Sequence, residues 1–299
     1  MRAVDIFSGC GGMSLGFEQA GIEVVAAFDK WAPAVEIYRA NFNHPIFEKD
    51  LCDEDSVEQI RDMAPDLIMG GPPCQDYSIA GKRKQGERAN LTLRFANIVV
   101  GVRPLWVVFE NVYNIERFGT LPKMKEALRK AGYGLSCSVL DASLCGVPQA
   151  RKRFILVGRL GAEDGFFDET LRSGLAERQM TVRDYLGDKL GTQYYYMHPR
   201  SYARRAVFSI DEPSATIRGV NRPIPSNYKE HHADAASIED GVRALTTKER
   251  SYLQTFPDEF QLPGSKTNVE LAIGNAVPPA LAKYIASRVI AFENKATEE

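Results

Sequence analysis

The feature that most constrains this chain is the series of short apolar runs in its first 160 residues, separated by turns and by segments with helical spacing. Ala3-Val4-Asp5-Ile6-Phe7 stops at the glycine cluster Gly9-Cys10-Gly11-Gly12, and a helical pattern carrying Leu15, Phe17 and Ala20 then closes at Gly21. Val24–Phe28 reads as a second strand, and Ala32–Phe42 as a helix with Val35, Tyr38 and Phe42 on one face. Asp66–Met69 is a buried-strand run ending at Gly70-Gly71-Pro72-Pro73. Leu91–Val102 reads as a helix, Trp106–Phe109 as a strand, Leu121–Ala131 as a helix stopped by Gly132, and Phe154–Val157 as a strand. Strands alternating with helices of about 10–15 residues predict an α/β fold on a doubly wound, mostly parallel sheet.

Near residue 180 the texture changes: from Thr181 to about Pro263 periodic helices are few and turn residues many. A second, smaller domain is expected there, giving residues 1–180 plus 268–299 as one unit and 181–267 as the other. Pro279–Phe292 regains helical spacing through Leu281, Tyr284, Ile285 and Val289 and is expected to pack on the first unit. With 44% hydrophobic and 25% charged residues, the chain is neither disordered nor a small disulfide scaffold. No apolar run approaches the roughly 18 residues of a membrane helix, and a strand begins too early for a signal peptide. Five cysteines without a CxxC pair predict reduced thiols, a cytoplasm-like compartment and no metal site. A net charge of −2 means that any nucleic-acid partner must be met by a local basic surface.

In an open α/β sheet, ligands bind beyond the carboxyl ends of the strands, and four clusters fall at such positions. Phe7-Ser8-Gly9-Cys10-Gly11-Gly12 lets the backbone approach a ligand at a helix N-terminus, though such a loop alone is also a common tight turn. Asp29, at the end of the second strand, sits where an acid usually takes a ribose hydroxyl, so the pair suggests an adenosine-containing cofactor. Cys74, held by Pro72 and Pro73, is aimed rigidly out of a strand end, as a thiolate nucleophile would be. Cys10, Cys52, Cys137 and Cys145 read as small buried apolar groups. Glu110, after Val107-Val108-Phe109, is a carboxylate at the end of a buried strand, either a proton-sharing group or a paired core acid. In Gln149-Ala150-Arg151-Lys152-Arg153, alternation sends Arg151 and Arg153 to one face and Lys152 to the other, either into a site or along a solvated basic edge.

The order FSGCGG, PPCQ, ENV, QARKR, RALTTKE and GNAVPP resembles the cytosine-C5 DNA methyltransferases of bacterial type, from residue 3 to about 290 except near 180–240. The resemblance implies a Rossmann-like methyltransferase domain with a smaller target-recognition domain. It implies that Phe7, Gly9, Gly11 and Gly12 hold S-adenosylmethionine, that Asp29 binds its ribose, and that Asp50 and Leu51 meet its adenine. Pro72, Leu91, Asn275, Ala276 and Val277 would complete the cofactor pocket. Cys74 matches the nucleophile, Glu110 the carboxylate that binds the target base, and Arg151 and Arg153 the arginines of the active site. Two positions depart from the pattern. Lys30, with Trp31 next, stands where an aromatic residue usually stacks on adenine. Arg88-Ala89-Asn90-Leu91 replaces the usual Arg-Gly-x-Leu.

The implied reaction is attack of the Cys74 thiolate on C6 of a flipped cytosine, methyl transfer to C5, proton loss to water and β-elimination. Gln75, Ser78, Lys82, Arg83, Lys84 and Arg88 form a basic loop after the nucleophile, suited to DNA phosphates or to a plain charged surface. Arg204, Arg205, Arg218 and Arg222, among interleaved tyrosines, suit a recognition surface, and each could equally be an ion pair of the fold. His198, His231 and His232 read as surface or phosphate contacts. Duplex DNA, a cognate restriction endonuclease encoded nearby, a bacterial or phage origin and a monomer are the implied setting. The alternative is a tRNA cytosine-C5 methyltransferase with the same chemistry, which usually carries a Cys-Phe-Thr motif that this chain lacks.

Overall fold

The computed structural model describes residues 1–73, 90–117, 119–201 and 203–298. Its centre is a seven-stranded sheet in the order β3-β2-β1-β4-β5-β7-β6. The strands are β1 (Arg2–Ile6), β2 (Glu23–Asp29), β3 (Ile46–Glu48), β4 (Leu67–Gly70), β5 (Trp106–Val112), β6 (Tyr133–Asp141) and β7 (Lys152–Leu160). β1 to β5 run parallel, as the alternating pattern predicts, and β7 runs antiparallel to both of its neighbours.

Period-2 alternation sorts the strand residues into two cores. Ala3, Leu67, Met69, Trp106, Val108, Ile155 and Val157 face one side, where they meet Phe17 of α1 (Gly12–Gln19) and Leu281, Ile285 and Val289 of the C-terminal helix α10 (Pro279–Glu298). Val4, Ile68, Val107, Phe109, Phe154 and Leu156 face the other, against α4 (Asn90–Val102) and α5 (Thr120–Lys130). Helix α2 (Ala32–Arg39) lies beside β2, and α3 (Ser56–Asp62) precedes β4. α2 ends short of the expected Phe42. Asn41 instead turns its amide to the carbonyls of Ile37 and Gln261, tying the chain to a distant loop.

Two strands escape the hydrophobic pattern. β3 has only three residues, and β6 reads Tyr-Gly-Leu-Ser-Cys-Ser, an edge strand too polar for a continuous apolar run. β6 is nevertheless paired with β7 over its whole length.

Beyond α6 (Asp168–Arg172) and α7 (Val182–Leu186), a three-stranded sheet forms in the order β10-β8-β9, from β8 (Tyr194–Tyr196), β9 (Val207–Ser209) and β10 (Arg243–Ala244). Helices α8 (Thr247–Leu253) and α9 (Lys266–Asn275) come next. Tyr195, Phe208, Leu253 and Phe256 share one core with Cys10, Ile37, Val269 and Ile273, so this segment is packed onto the first part of the chain. Among the described residues no helix is long and apolar enough to cross a membrane.

Glu270 of α9 and Arg250 of α8 form a nearly buried ion pair at 3.0 Å. Glu270 also accepts hydrogen bonds from Asn221 and Thr247, and Arg250 donates to the Val220 carbonyl. Removing one partner leaves the other charge buried without compensation. Glu270→Ala is therefore expected to lower stability by about 3–5 kcal/mol in urea unfolding, whereas Glu259→Ala, at an exposed site, changes it little.

Candidate active site

Because β1, β2, β4 and β5 are parallel, their carboxyl ends lie on one edge of the sheet. There they border a cavity of about 480 Å³. The chain leaves β1 through Phe7 (φ 60°), Gly9 (φ 55°) and Gly11 (φ 92°), and this left-handed path turns backbone N–H groups toward β2. The Gly9 N–H donates to Asp29 Oδ2 and the Trp31 N–H to Asp29 Oδ1, each at 2.8 Å. Burial raises the Asp29 carboxyl above its ordinary range, and these bonds work against the rise.

Phe7, Gly9 and Asp29 line the cavity, as do Asp50, Leu51, Pro72, Leu91, Asn275, Ala276 and Val277. Gly11 and Gly12 stand behind its wall rather than on it. A Cβ on Gly11 would collide with the rings of Phe42 and Tyr38, and one on Gly12 would lie 2.1 Å from the Val277 carbonyl oxygen. Their small size lets α2 and the α9–α10 link close on the loop. Lys30, also on the lining, is paired at 3.0 Å with Asp50 and is more than half exposed. Trp31, next to Lys30, lines the wall too, and Asp5, Met13 and Lys49 join it without having been singled out for it by their sequence context. Asp5 was masked by the apolar run around it.

At the end of β5, Glu110 is buried and its Oε1 meets Arg153 Nε at 2.9 Å. Register explains the pairing: β7 enters antiparallel with Arg153 opposite Val112, so the start of β7 lies at the same sheet edge as the end of β5. Burial raises the Glu110 carboxyl, and Arg153 and then Arg151 oppose that rise. Asn111 Nδ2 donates to the Pro72 carbonyl at 3.0 Å, joining the strand end that carries Glu110 to the turn that leads into Cys74. Cys74, Gln75, Ser78, Lys82, Arg83, Lys84 and Arg88 lie outside the described residues.

Arg151 borders the cavity, but its hydrogen bonds go to backbone. Nη1 donates to the Ile217 carbonyl at 3.0 Å, and Nη2 to the Gly274 and Ala276 carbonyls at 3.1 and 3.0 Å. Gln149, two residues earlier on the same face, accepts from the Ile217 N–H at 2.9 Å and donates to Gln254 Oε1 at 2.8 Å. The alternation expected of Gln149 to Arg153 thus delivers three side chains to one side, two holding backbone and one holding Glu110.

The four arginines expected to recognise DNA divide. Arg205 is paired with Glu212 and stacked over Phe208, and Arg218 donates to the His198 carbonyl, so both are engaged by the fold. Arg204 and Arg222 are exposed. Cys10 and Cys145 are buried as expected, but Cys52 is exposed, because it sits in the polar turn whose N–H groups cap Asp50. Among the described residues no group of three or more His, Cys, Asp or Glu could hold a metal ion.

The model of the C-5 cytosine-specific DNA methylases matches residues 1–291. The type II methyltransferase M.HindV of Haemophilus influenzae is 55% identical over 298 residues, covering 99% of this chain and 98% of that protein. M.HgiDI of Herpetosiphon aurantiacus, also a type II methyltransferase, is 52% identical over 297 residues, covering 99% and 96%. The fold is shared with a protein encoded within an Escherichia coli prophage (TM-score 0.75, 21% identity, 98% and 99% covered) and with the S. pombe Dnmt2 methyltransferase (TM-score 0.74, 19% identity, the same coverage). The chain belongs to the C-5 cytosine-specific DNA methylase family and is a DNA cytosine-5 methyltransferase.

Proposed function

We propose that this enzyme methylates a flipped cytosine in a specific duplex DNA sequence, with S-adenosylmethionine as methyl donor, as the modification half of a type II restriction-modification system. The observation that carries the reading is that Asp29 and the Glu110–Arg153 pair border one continuous cavity. A nucleoside site and a base-holding site therefore share a single space. The cavity fits the donor: about 480 Å³ lies within the roughly 300–1,000 Å³ of small-molecule sites. Asp29 is held by two backbone N–H groups with lone pairs left for a ribose, and Phe7, Trp31, Leu51 and Pro72 offer apolar walls. When bound, S-adenosylmethionine supplies an electrophilic methyl group.

The chain's own residues do the rest. The thiolate of Cys74, which follows Pro72 and Pro73 in sequence, adds to C6 of the base and leaves electron density on C5. Glu110, with its raised proton affinity, holds N3 and the exocyclic amine and stabilises the adduct. Arg153 fixes the orientation of Glu110 and offsets developing charge. Arg151 holds the walls of the site together from behind. C5 receives the methyl group, loses its proton to water, and β-elimination frees Cys74. Residues 181–267 form the recognition part, with Arg204 and Arg222 free to meet DNA and the basic loop at 82–88 meeting phosphates. The enzyme works as a monomer in a bacterial cytoplasm, paired functionally with an endonuclease of the same specificity.

Labelled S-adenosylmethionine offered with mixed-sequence duplex DNA and, in parallel, total tRNA is expected to label only DNA, at C5 of one recurring cytosine context in bisulfite sequencing. Label in tRNA alone would reassign the substrate. Cys74→Ser is expected to abolish transfer while DNA binding in a gel-shift assay persists; retained turnover would refute the nucleophile. Asp29→Ala is expected to weaken S-adenosylmethionine binding by roughly 100-fold, the loss of two charge-assisted hydrogen bonds at about 1.5 kcal/mol each. DNA affinity should change far less, and equal losses by calorimetry and gel shift would indicate general unfolding.

A further inference from the structure

Asp5 of β1 is fully buried on the cavity wall, and none of the roles above uses it. Its Oδ1 has no hydrogen-bond partner among the described residues. Its Oδ2 begins an unbroken chain toward the surface. Ser14 Oγ of α1 lies 2.6 Å from Asp5 Oδ2, and the Tyr38 hydroxyl of α2 lies 2.7 Å from Ser14 Oγ. His44 Nε2 is 2.6 Å from that hydroxyl, and His44 Nδ1 is 3.0 Å from Glu18 Oε1, which is partly exposed.

Donor counting allows two complete arrangements of this chain, since Ser14 and Tyr38 each have one proton to donate. In the first, Asp5 is ionised and His44 is an imidazolium: Nε2–H donates to Tyr38, Tyr38 to Ser14, and Ser14 to Asp5. In the second, Asp5 is protonated and donates to Ser14, Ser14 to Tyr38, and Tyr38 to a neutral His44. His44 Nδ1–H donates to Glu18 in both. The two states hold the same number of protons and differ by reversal of three hydrogen bonds. That reversal carries one proton equivalent between the cavity wall and His44 with no exchange with solvent.

We propose that this chain is a proton relay serving the cofactor site: a cationic nitrogen arriving beside Asp5 drives its proton to His44, so that Tyr38 and His44 are positioning residues for binding. The cation is the ammonium group at the methionyl end of S-adenosylmethionine, and the inference rests on that reading of the cavity. Electrostatics favour both ends. Burial, helped by the Asp29 carboxylate of β2, pushes the Asp5 carboxyl up to about 7, so the neutral acid is populated in the empty site near neutral pH. Burial, and then the Asp5 and Glu18 carboxyls, oppose ionisation of Tyr38, so it passes the proton as a neutral phenol. Glu18 stabilises the imidazolium once formed. Asp5 is sealed behind the wall, so a cation in the adjoining cavity acts on it across a short stretch of low-dielectric protein, favouring the ionised carboxyl, and the displaced proton rests on a ring that already has an acidic partner.

The chain carries four histidines, which makes the test a carbon-detected NMR measurement on His-labelled protein near neutral pH. Saturating S-adenosylhomocysteine, which keeps the ammonium group, is expected to move the His44 ring signals to their imidazolium positions. 5′-Methylthioadenosine, which lacks the amino-acid end, should bind without moving them. In Tyr38→Phe, S-adenosylhomocysteine should bind roughly tenfold more weakly, the loss of one hydrogen bond in a charged network, and His44 should not respond. Should that variant fail to fold, Asp5→Asn must give the same silent His44. A His44 that stays neutral in the saturated wild type, or that responds equally in Tyr38→Phe or to methylthioadenosine, would overturn the relay. Failure of the wild type to bind S-adenosylhomocysteine at all would overturn the cofactor reading, and the relay with it.

Discussion

A carboxylate can be kept at the end of a buried strand only if its charge is answered there, and in this protein the direction of one strand supplies the answer. Had β7 continued the parallel pattern of β1 to β5, its first residues would lie at the opposite edge of the sheet. Running antiparallel, it sets Arg153 across from Val112 and its guanidinium on Glu110. The same reversal brings Gln149 and Arg151 to the edge where the glycine loop, Asp29 and the turn before Cys74 already converge. The chemistry of the site thus depends on a topological choice made far from any reacting atom.

The reversed strand also builds a shared backbone frame. Gln149 and Arg151 hold the Ile217 N–H and carbonyl respectively, and Arg151 also holds the carbonyls of Gly274 and Ala276. Ile217 lies just before Arg218 and Arg222, two of the arginines expected to recognise DNA, while Ala276 lines the cavity. Gln254, bonded to Gln149, donates to the Ile273 carbonyl and closes the frame. A small shift of the segment around Ile217 is therefore felt at the cavity wall through the side chains of Gln149, Arg151 and Gln254. Buried polar groups held on several backbone carbonyls at once resist such shifts, because each lost bond leaves a desolvated donor.

Much of this was legible in the sequence, for identifiable reasons. Strong apolar runs gave β1, β2, β4, β5 and β7, and the motifs at their ends located the cavity residues. β3 and β6 were illegible because one is three residues long and the other is a largely polar edge strand whose only strand partner is β7. Alternation correctly put Arg151 and Arg153 on one side, but it could not distinguish a guanidinium bound to carboxylate from one bound to three carbonyls. That distinction needs the positions of Ile217, Gly274 and Ala276, which are remote in sequence. The glycines show a similar limit: Gly9 borders the cavity while Gly11 and Gly12 make room for Tyr38, Phe42 and Val277. One motif serves two purposes that spacing alone does not separate.

The cavity's electrostatics arise from the same convergence of strand ends. Asp5, Asp29 and Glu110 come from β1, β2 and β5, and burial raises all three carboxyls. Each is managed differently: Asp29 by backbone N–H groups, Glu110 by Arg153, and Asp5 by a hydroxyl chain ending at a histidine. The first two solutions fix the charge in place. The third leaves it free to appear when something positive arrives, because hydroxyls can reverse their donation and guanidinium groups cannot. Under the proposed relay, a site that alternates between empty and holding an ammonium-bearing ligand is better served by one adjustable carboxyl than by three permanent charges. In the proposed reading the two fixed acids orient nucleoside and base, and the adjustable one answers the ammonium group of whatever ligand enters.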